Sequence, residues 1–209
     1  VTGIDIDPLH LHMARENVLA YGFGERFQGI EEDLNTIHPL PAEALFFDPA
    51  RRTADGRRIK SVDLYQPPLN LIDKWRESTP HAAVKISPGV AYEELPAGCE
   101  VEFISLKGKV KECVLWYGDL SAGTIRKGTL LPGKISLTSR DYPGADVPVT
   151  NPSAYLYEPD GAIIRAHLVQ QVARALSATQ IDREIAYLTA DTISESPFAR
   201  CYRLDDWFP

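Results

Sequence analysis

The chain has 209 residues, 44% of them hydrophobic and 24% charged, an ordinary globular composition that excludes disorder as its main state. No run approaches the roughly 18 apolar residues of a membrane span, and no basic and then apolar leader precedes Val1, so the expectation is a cytoplasmic protein with no membrane partner. Its net charge of -7 disfavours polyanions over the surface as a whole, and Cys99, Cys113 and Cys201 are spaced too widely for a disulfide framework or a metal site.

Val1-Thr2-Gly3-Ile4-Asp5-Ile6-Asp7 alternates like a buried strand, and Asp7-Pro8 reads as an N-cap with proline in the first helical position. The helix that follows keeps Leu11, Ala14, Val18 and Tyr21 on one face and should end at Gly22 in a left-handed turn. Arg26 to Ile30 predicts a short strand reaching Asp33, and Ala44-Leu45-Phe46-Phe47 an apolar strand stopped at Asp48-Pro49. Both suit a parallel sheet covered on two faces. The segment from Arg51 to Lys60 then carries five cations and one anion, +4 on a chain that is -11 elsewhere. Such a run is most often a solvated loop; beside a site it becomes a polyanion contact.

Further on, Leu69, Ile72 and Trp75 mark a helix closed near Pro80, and Ala82 to Ile86 another buried strand stopped by Ser87-Pro88-Gly89. Val101 to Leu106 and Cys113 to Tyr117 read as a hairpin around Lys107-Gly108-Lys109-Val110-Lys111, giving the parallel sheet an antiparallel edge. The three lysines suit a solvated tip, with a phosphate role as the lesser reading. Residues 121–153 hold one more hairpin-like pair, Thr124 to Leu131 and Lys134 to Thr138, and read as an annex and linker. From Tyr155 a second unit begins with a strand and a helix from Gly161 to Leu176 that turns Ile164, Leu168, Val172 and Ala175 inward. The fold class is α/β, with a mostly parallel sheet over residues 1–120, the annex to 153, and a small α+β domain over 154–209.

Three predicted strands end at aspartates. An acidic residue where a parallel strand opens onto a helix is placed to hold a ribose by both hydroxyls, which fits Asp5, while Asp33 is placed to accept from an adenine amine. A helix-start carboxylate is the plainer reading of Asp5 and Asp7. Asp48 precedes proline, which forces extended backbone and makes it a rigid acceptor for an exocyclic amine; a turn aspartate bonding its own backbone is the equal alternative. His10, His12, His38, His81 and His167 show no ligand spacing, so no metal is expected, and Trp75, Trp116 and Trp207 read as core or docking aromatics.

Val1-Thr2-Gly3-Ile4-Asp5-Ile6-Asp7-Pro8 with Ala14-Arg15-Glu16-Asn17 resembles the second-strand motif of class I S-adenosylmethionine-dependent methyltransferases, and Phe46-Phe47-Asp48-Pro49-Ala50-Arg51 looks like their fourth motif. The pairing resembles RNA methyltransferases of the trimethylguanosine synthase kind, and the tail from Tyr155 looks like the THUMP-like domain that follows such a catalytic domain. The resemblance implies a Rossmann-like sheet and S-adenosylmethionine as cofactor, bound by Asp5, Ile6, Asp33 and Leu34. It also implies methyl transfer at Asp48 and Pro49, and RNA as partner, met by Arg51, Arg52, Arg57 and Arg58. A methyltransferase of small molecules or proteins, and a non-catalytic binding module, are the alternatives. The oligomeric state is left open.

The sequence departs from the family in three places. Arg51 stands where an aromatic ring would stack on a base, and Ser87-Pro88-Gly89 stands where uracil-C5 enzymes place a nucleophilic cysteine. The family's first strand and glycine-rich loop have no counterpart, since Gly22-Phe23-Gly24 follows a helix and reads as its C-cap. The resemblance therefore implies a gap of about two strand spacings, near 9.6 Å, between the strands ending at Asp5 and Asp48. Weak cofactor binding and no meaningful turnover by this chain alone are the expected consequences.

Overall fold

The computed structural model of the chain describes residues 1–53, 55–59 and 61–207; Ala54 and Lys60 of the basic segment lie outside the described residues. Strands β1 (Thr2–Asp5) and β2 (Gln28–Glu31) pair in parallel around helix α1 (Pro8–Ala20). Asp7 caps α1, its Oδ1 accepting from the Leu9 N–H at 2.8 Å, and Pro8 fills the first turn where no amide is needed. Leu11, Ala14 and Val18 are its half-buried face, as their spacing predicts. Tyr21 is not on that face: the helix has ended, Gly22 turns at φ +77°, and the ring is 80% exposed.

Seven further elements follow: β3 (Leu45–Phe47), α2 (Leu71–Arg76), β4 (Ala82–Ile86), β5 (Glu100–Leu106), β6 (Lys109–Tyr117), β7 (Arg126–Leu131) and β8 (Ile135–Thr138). Their strands form one sheet in the order β3-β4-β6-β5-β7-β8. β3 runs parallel to β4 and β5 parallel to β7, while the other three pairings are antiparallel. The sheet is therefore mixed, and the expected edge hairpin lies inside it. The cause is a turn of only two residues, Lys107 (φ 52°) and Gly108 (φ 78°), which sends the chain straight back so that β6 inserts between β4 and β5. β7 and β8, from the stretch read as an annex, then cover the outer edge of β5.

The C-terminal elements are β9 (Tyr155–Pro159), α3 (Gly161–Arg165), α4 (Val169–Leu176), β10 (Thr179–Gln180), β11 (Leu188–Ala190) and β12 (Ala199–Arg203). The strands form an antiparallel sheet in the order β10-β11-β9-β12. The single helix expected from Gly161 to Leu176 is two. His167 adopts φ 56°, with its N–H bonded to the Ile164 carbonyl and the Leu168 N–H to the Ile163 carbonyl, both at 3.0 Å. That turn resets the helical phase, so Ala162, Ile163 and Ala166 are buried from α3, and Leu168, Val172, Ala173 and Leu176 from α4. Ile164 and Ala175 face outward instead. Helix α3 packs on β5, β6 and β7, where a Cβ on Gly128 would stand 2.8 Å from Ile163 Cδ1. One continuous core, from Ile59 to Leu188, joins this unit to the six-stranded sheet.

No described residue before Ile59 belongs to the fully buried part of that core. β1 and β3 do not pair, and a cleft of about 820 Å³ separates them, walled by Ile4, Leu34, Leu40, Phe46, Ile72 and Trp75. The gap expected between the strands ending at Asp5 and Asp48 is present, and it leaves Phe46, the middle residue of β3, 69% exposed.

Candidate active site

β3 ends at Phe47, opposite Val84, while β4 runs on to Ile86, so Asp48, the residue after β3, meets Lys85 of β4 at one rim of the sheet. Pro49 is buried, and Ala50 exchanges backbone hydrogen bonds with Gln66 at 2.8 and 3.3 Å, which clamps the Asp-Pro turn. Asp48 Oδ2 lies 3.1 Å from Lys85 Nζ, and Lys85 Nζ 3.9 Å from Glu112 Oε1. Glu112 Oε2 lies 3.4 Å from Arg51 Nη1, which also donates to the Ile86 carbonyl at 3.3 Å. Four alternating charges thus link the end of β3 to β4 and β6. Asp48 is the most open of them, at 42% of its side chain, and its Oδ1 has no partner among the described residues. The site therefore offers one fixed carboxylate oxygen and one available acceptor.

The basic segment is a small hairpin beside this rim, with Arg52 opposite Arg58 and a turn at Gly56 (φ 82°). Its four arginines do not act as one set. Arg51 is turned inward as described, and Arg58 donates to Ser87 Oγ. Arg52 donates to the Gly56 carbonyl at 3.0 Å, and Arg57 pairs with Asp55 at 2.9 Å. Arg52, Arg57 and Arg58 remain exposed to solvent, whereas Arg51 is half-buried.

Asp5 is the last residue of β1 and Asp33 follows β2, in the two-stranded parallel sheet, so the three aspartates do not share one continuous sheet as expected; the unpaired edges of β1 and β3 divide them. Asp5 Oδ1 accepts from the Asp7 N–H at 2.8 Å and its Oδ2 lies 3.3 Å from His10 Nδ1. Asp33 closes its own turn, accepting from the Asn35 N–H and side-chain amide at 2.9 and 2.8 Å. Ile6 is 68% exposed next to Asp5, and Leu34 lies in the cleft wall. The Asp5 side chain, 39% exposed, keeps acceptor capacity beyond those two partners, which fits a diol. In the opposite wall the Trp75 indole N–H is buried without a hydrogen-bond partner among the described residues.

Cys113 is buried, and that burial pushes its thiol up to about 12; burial also raises Cys99. Neither supplies a thiolate nucleophile at neutral pH. Among the described residues no group of three His, Cys, Asp or Glu side chains could hold a metal ion, and no helix is long and apolar enough to cross a membrane. The residues that sequence reasoning missed are Lys85 and Glu112. The signal at Lys85 was a lone charge within an otherwise apolar strand; Glu112 carried none, since β6 also holds Lys109 and Lys111.

No family model matches the chain. Two relatives from Mycobacterium tuberculosis, in strains CDC 1551 / Oshkosh and ATCC 25618 / H37Rv, are each named an uncharacterized S-adenosylmethionine-dependent methyltransferase. Each is 36% identical over 199 residues, covering 91% of this chain and 52% of the relative. The chain spans about half the length of these curated relatives. A crystal structure of a candidate methyltransferase from Porphyromonas gingivalis W83 matches with a TM-score of 0.71 at 20% identity, over 98% of this chain and 55% of that one. The chain shares its fold.

Proposed function

We propose that this chain is the acceptor-orienting part of an S-adenosylmethionine-dependent methyltransferase that acts on RNA in the cytoplasm. The observation that carries the reading is Asp48, set at the end of a parallel strand, ahead of a buried proline, with one oxygen held by Lys85 and the other available. The 36% identity to relatives named for this cofactor supports it. Asp5 and Ile6 would hold the cofactor ribose, and Asp33 and Leu34 the adenine. When bound, S-adenosylmethionine supplies an electrophilic methyl group.

The chain's own residues do the positioning. Asp48 Oδ1 accepts a hydrogen bond from an exocyclic N–H of the substrate, which aims the nitrogen lone pair away from the carboxylate. Lys85 prevents Asp48 from rotating out of place, and the clamp between Ala50 and Gln66 fixes the backbone beneath it. Arg52, Arg57 and Arg58 stand on the same rim with exposed guanidinium groups suited to phosphates, while Arg51 serves the ion network. The THUMP-like reading of residues 154–209 fits an RNA substrate, and a shared core joins that unit to the sheet carrying Asp48.

The test is an amide NMR titration of the chain with S-adenosylhomocysteine, which reads weak binding. The expected result is shifts at Asp5, Ile6, Asp33 and Leu34 that Asp5→Ala removes. No shift at millimolar ligand would overturn the cofactor assignment.

A further inference from the structure

β5 and β7 run parallel with Leu106 opposite Leu131, so the turns that follow them lie side by side, tied by the Lys107 N–H to the Leu131 carbonyl at 3.1 Å. Each turn places a lysine in the left-handed region, Lys107 at φ 52° and Lys134 at φ 53°. Asparagine or glycine takes that conformation more readily, so lysine is an unfavourable choice for the turn itself. Arg200 of β12 leans over the same tip, its Nη2 standing 2.8 Å from where a Cβ on Gly108 would be. Lys107, Lys109, Lys134 and Arg200 are exposed, and none makes an ion pair or side-chain hydrogen bond with a described residue.

The nearby anions are already engaged. Glu158, opposite Arg200, accepts from the Tyr202 hydroxyl at 3.0 Å, and Asp160 caps α3 through the Ala162 N–H at 2.8 Å. Tyr202 lies two residues beyond Arg200, on the same face of β12, and is 46% exposed. Strands β3, β4, β5 and β7 all point the same way, since β6 is antiparallel to both β4 and β5. The lysine turns therefore lie toward the same end of the sheet as Asp48, with β5 running on from Glu102, level with Asp48, to Leu106 before it turns.

We infer that the adjoining β5–β6 and β7–β8 turns, with Arg200 and Tyr202, form a second docking surface for single-stranded RNA. It takes backbone phosphates on Lys107, Lys109, Lys134 and Arg200 and a base against the Tyr202 ring. The inference rests on the RNA reading of the Asp48 site and extends the substrate path from it along that end of the sheet. Two neighbouring turns spend conformational strain to present cations that make no ion pair or side-chain hydrogen bond with a described residue, an arrangement suited to an external anion.

The experiment compares the chain with a triple variant, Lys107→Asn, Lys109→Gln and Lys134→Asn, by anisotropy of a fluorescein-labelled oligouridylate of about 12 nucleotides across a salt series. Asparagine suits both turns, so the thermal midpoint should hold or rise. Affinity at low salt should fall about tenfold or more, and the slope of log K against log salt should lose about 2, at about 0.7 per phosphate contact. Arginine at the three positions should keep the slope. A folded triple variant with unchanged affinity and slope overturns the inference. A companion variant, Arg52→Ser, Arg57→Ser and Arg58→Ser, separates the two readings. If it alone loses binding, the RNA reading stands and this surface does not; if the unaltered chain shows no salt-dependent binding, both fail.

Discussion

Lys85 Nζ rests 3.1 Å from Asp48 Oδ2, a bridge that joins the residue after β3 to the parallel strand β4 beside it. Lys85 is the one residue of β4 that is not fully buried, because alternation turns it toward β3's end while Val84 and Ile86 enter the core. Both partners are more than a quarter exposed, so solvent screens the pair and its contribution to stability is small. Lys85→Met should change unfolding free energy in urea by less than about 1 kcal/mol. If the proposed function holds, methyl transfer to RNA by the longer protein should fall mainly in kcat, since the acceptor loses its fixed orientation. A large loss of stability with kcat intact would assign Lys85 to the fold instead.

A different carboxylate carries structural weight. Glu100 is 2% exposed, and its Oε2 accepts from the Ala122 N–H at 3.0 Å, the Thr124 N–H at 3.2 Å and the Thr124 hydroxyl at 2.9 Å. Glu100→Ala would strand these donors at about 1–3 kcal/mol for each buried one left unpaired. We expect a loss of about 3 kcal/mol in urea unfolding, and a smaller one for Glu100→Gln, whose amide oxygen still accepts. Equal losses for the two would mean that charge, rather than donor satisfaction, ties residues 121–124 to β5.

Local signals in the sequence carried the parts of the fold that depend on local chemistry. Asp7-Pro8 and Gly22 bound α1, and the β4 run is bounded as observed; the cleft was implied by the family resemblance, which sets a further strand between those ending at Asp5 and Asp48. Pairing order was not legible, because the Lys107-Gly108 turn lacks the asparagine that marks a two-residue hairpin and nothing local says that β7 will dock on β5. The break between α3 and α4 was hidden for the same reason, since His167 carries no glycine-like signature at its left-handed position. At the site, Asp48 was visible through its proline. Its partner Lys85 is 37 residues away in the chain, and Glu112, which pairs with Lys85, lies two strands away in the sheet; both became visible once the strands were aligned.

Phe46 tests the cleft between β1 and β3. At 69% exposure its ring removes little apolar surface from water, so Phe46→Thr should cost under about 1 kcal/mol in urea unfolding. Open, apolar strand edges pair with other edges, and the same variant should reduce concentration-dependent self-association in sedimentation velocity. If the strands close up in solution, Phe46 becomes a core residue, and its replacement would cost about 3 kcal/mol or more.

His167 gives the last test, at the joint between the six-stranded sheet and α3. Its ring stacks on Tyr92 with centroids 3.8 Å apart, while Arg165 and Arg126 also lie over the Tyr92 ring. Burial against that ring, and then the Arg126 and Arg165 charges, lower its pKa below the ordinary histidine value of 6.5. A group that is harder to protonate when folded favours the unfolded chain once acid is sufficient to charge it there. The His167 contribution is therefore fully present above about pH 6.5 and is lost as pH falls through that value toward the lower folded one. His167→Asn keeps the left-handed turn that separates α3 from α4 and removes the titration. Measured by urea unfolding at pH 7.5 and at about pH 5, the variant should match the unaltered chain at the higher pH and lose less stability at the lower one. Parallel losses in the two proteins would show that His167 protonates as readily folded as unfolded, and that the arginines beside Tyr92 do not reach its ring.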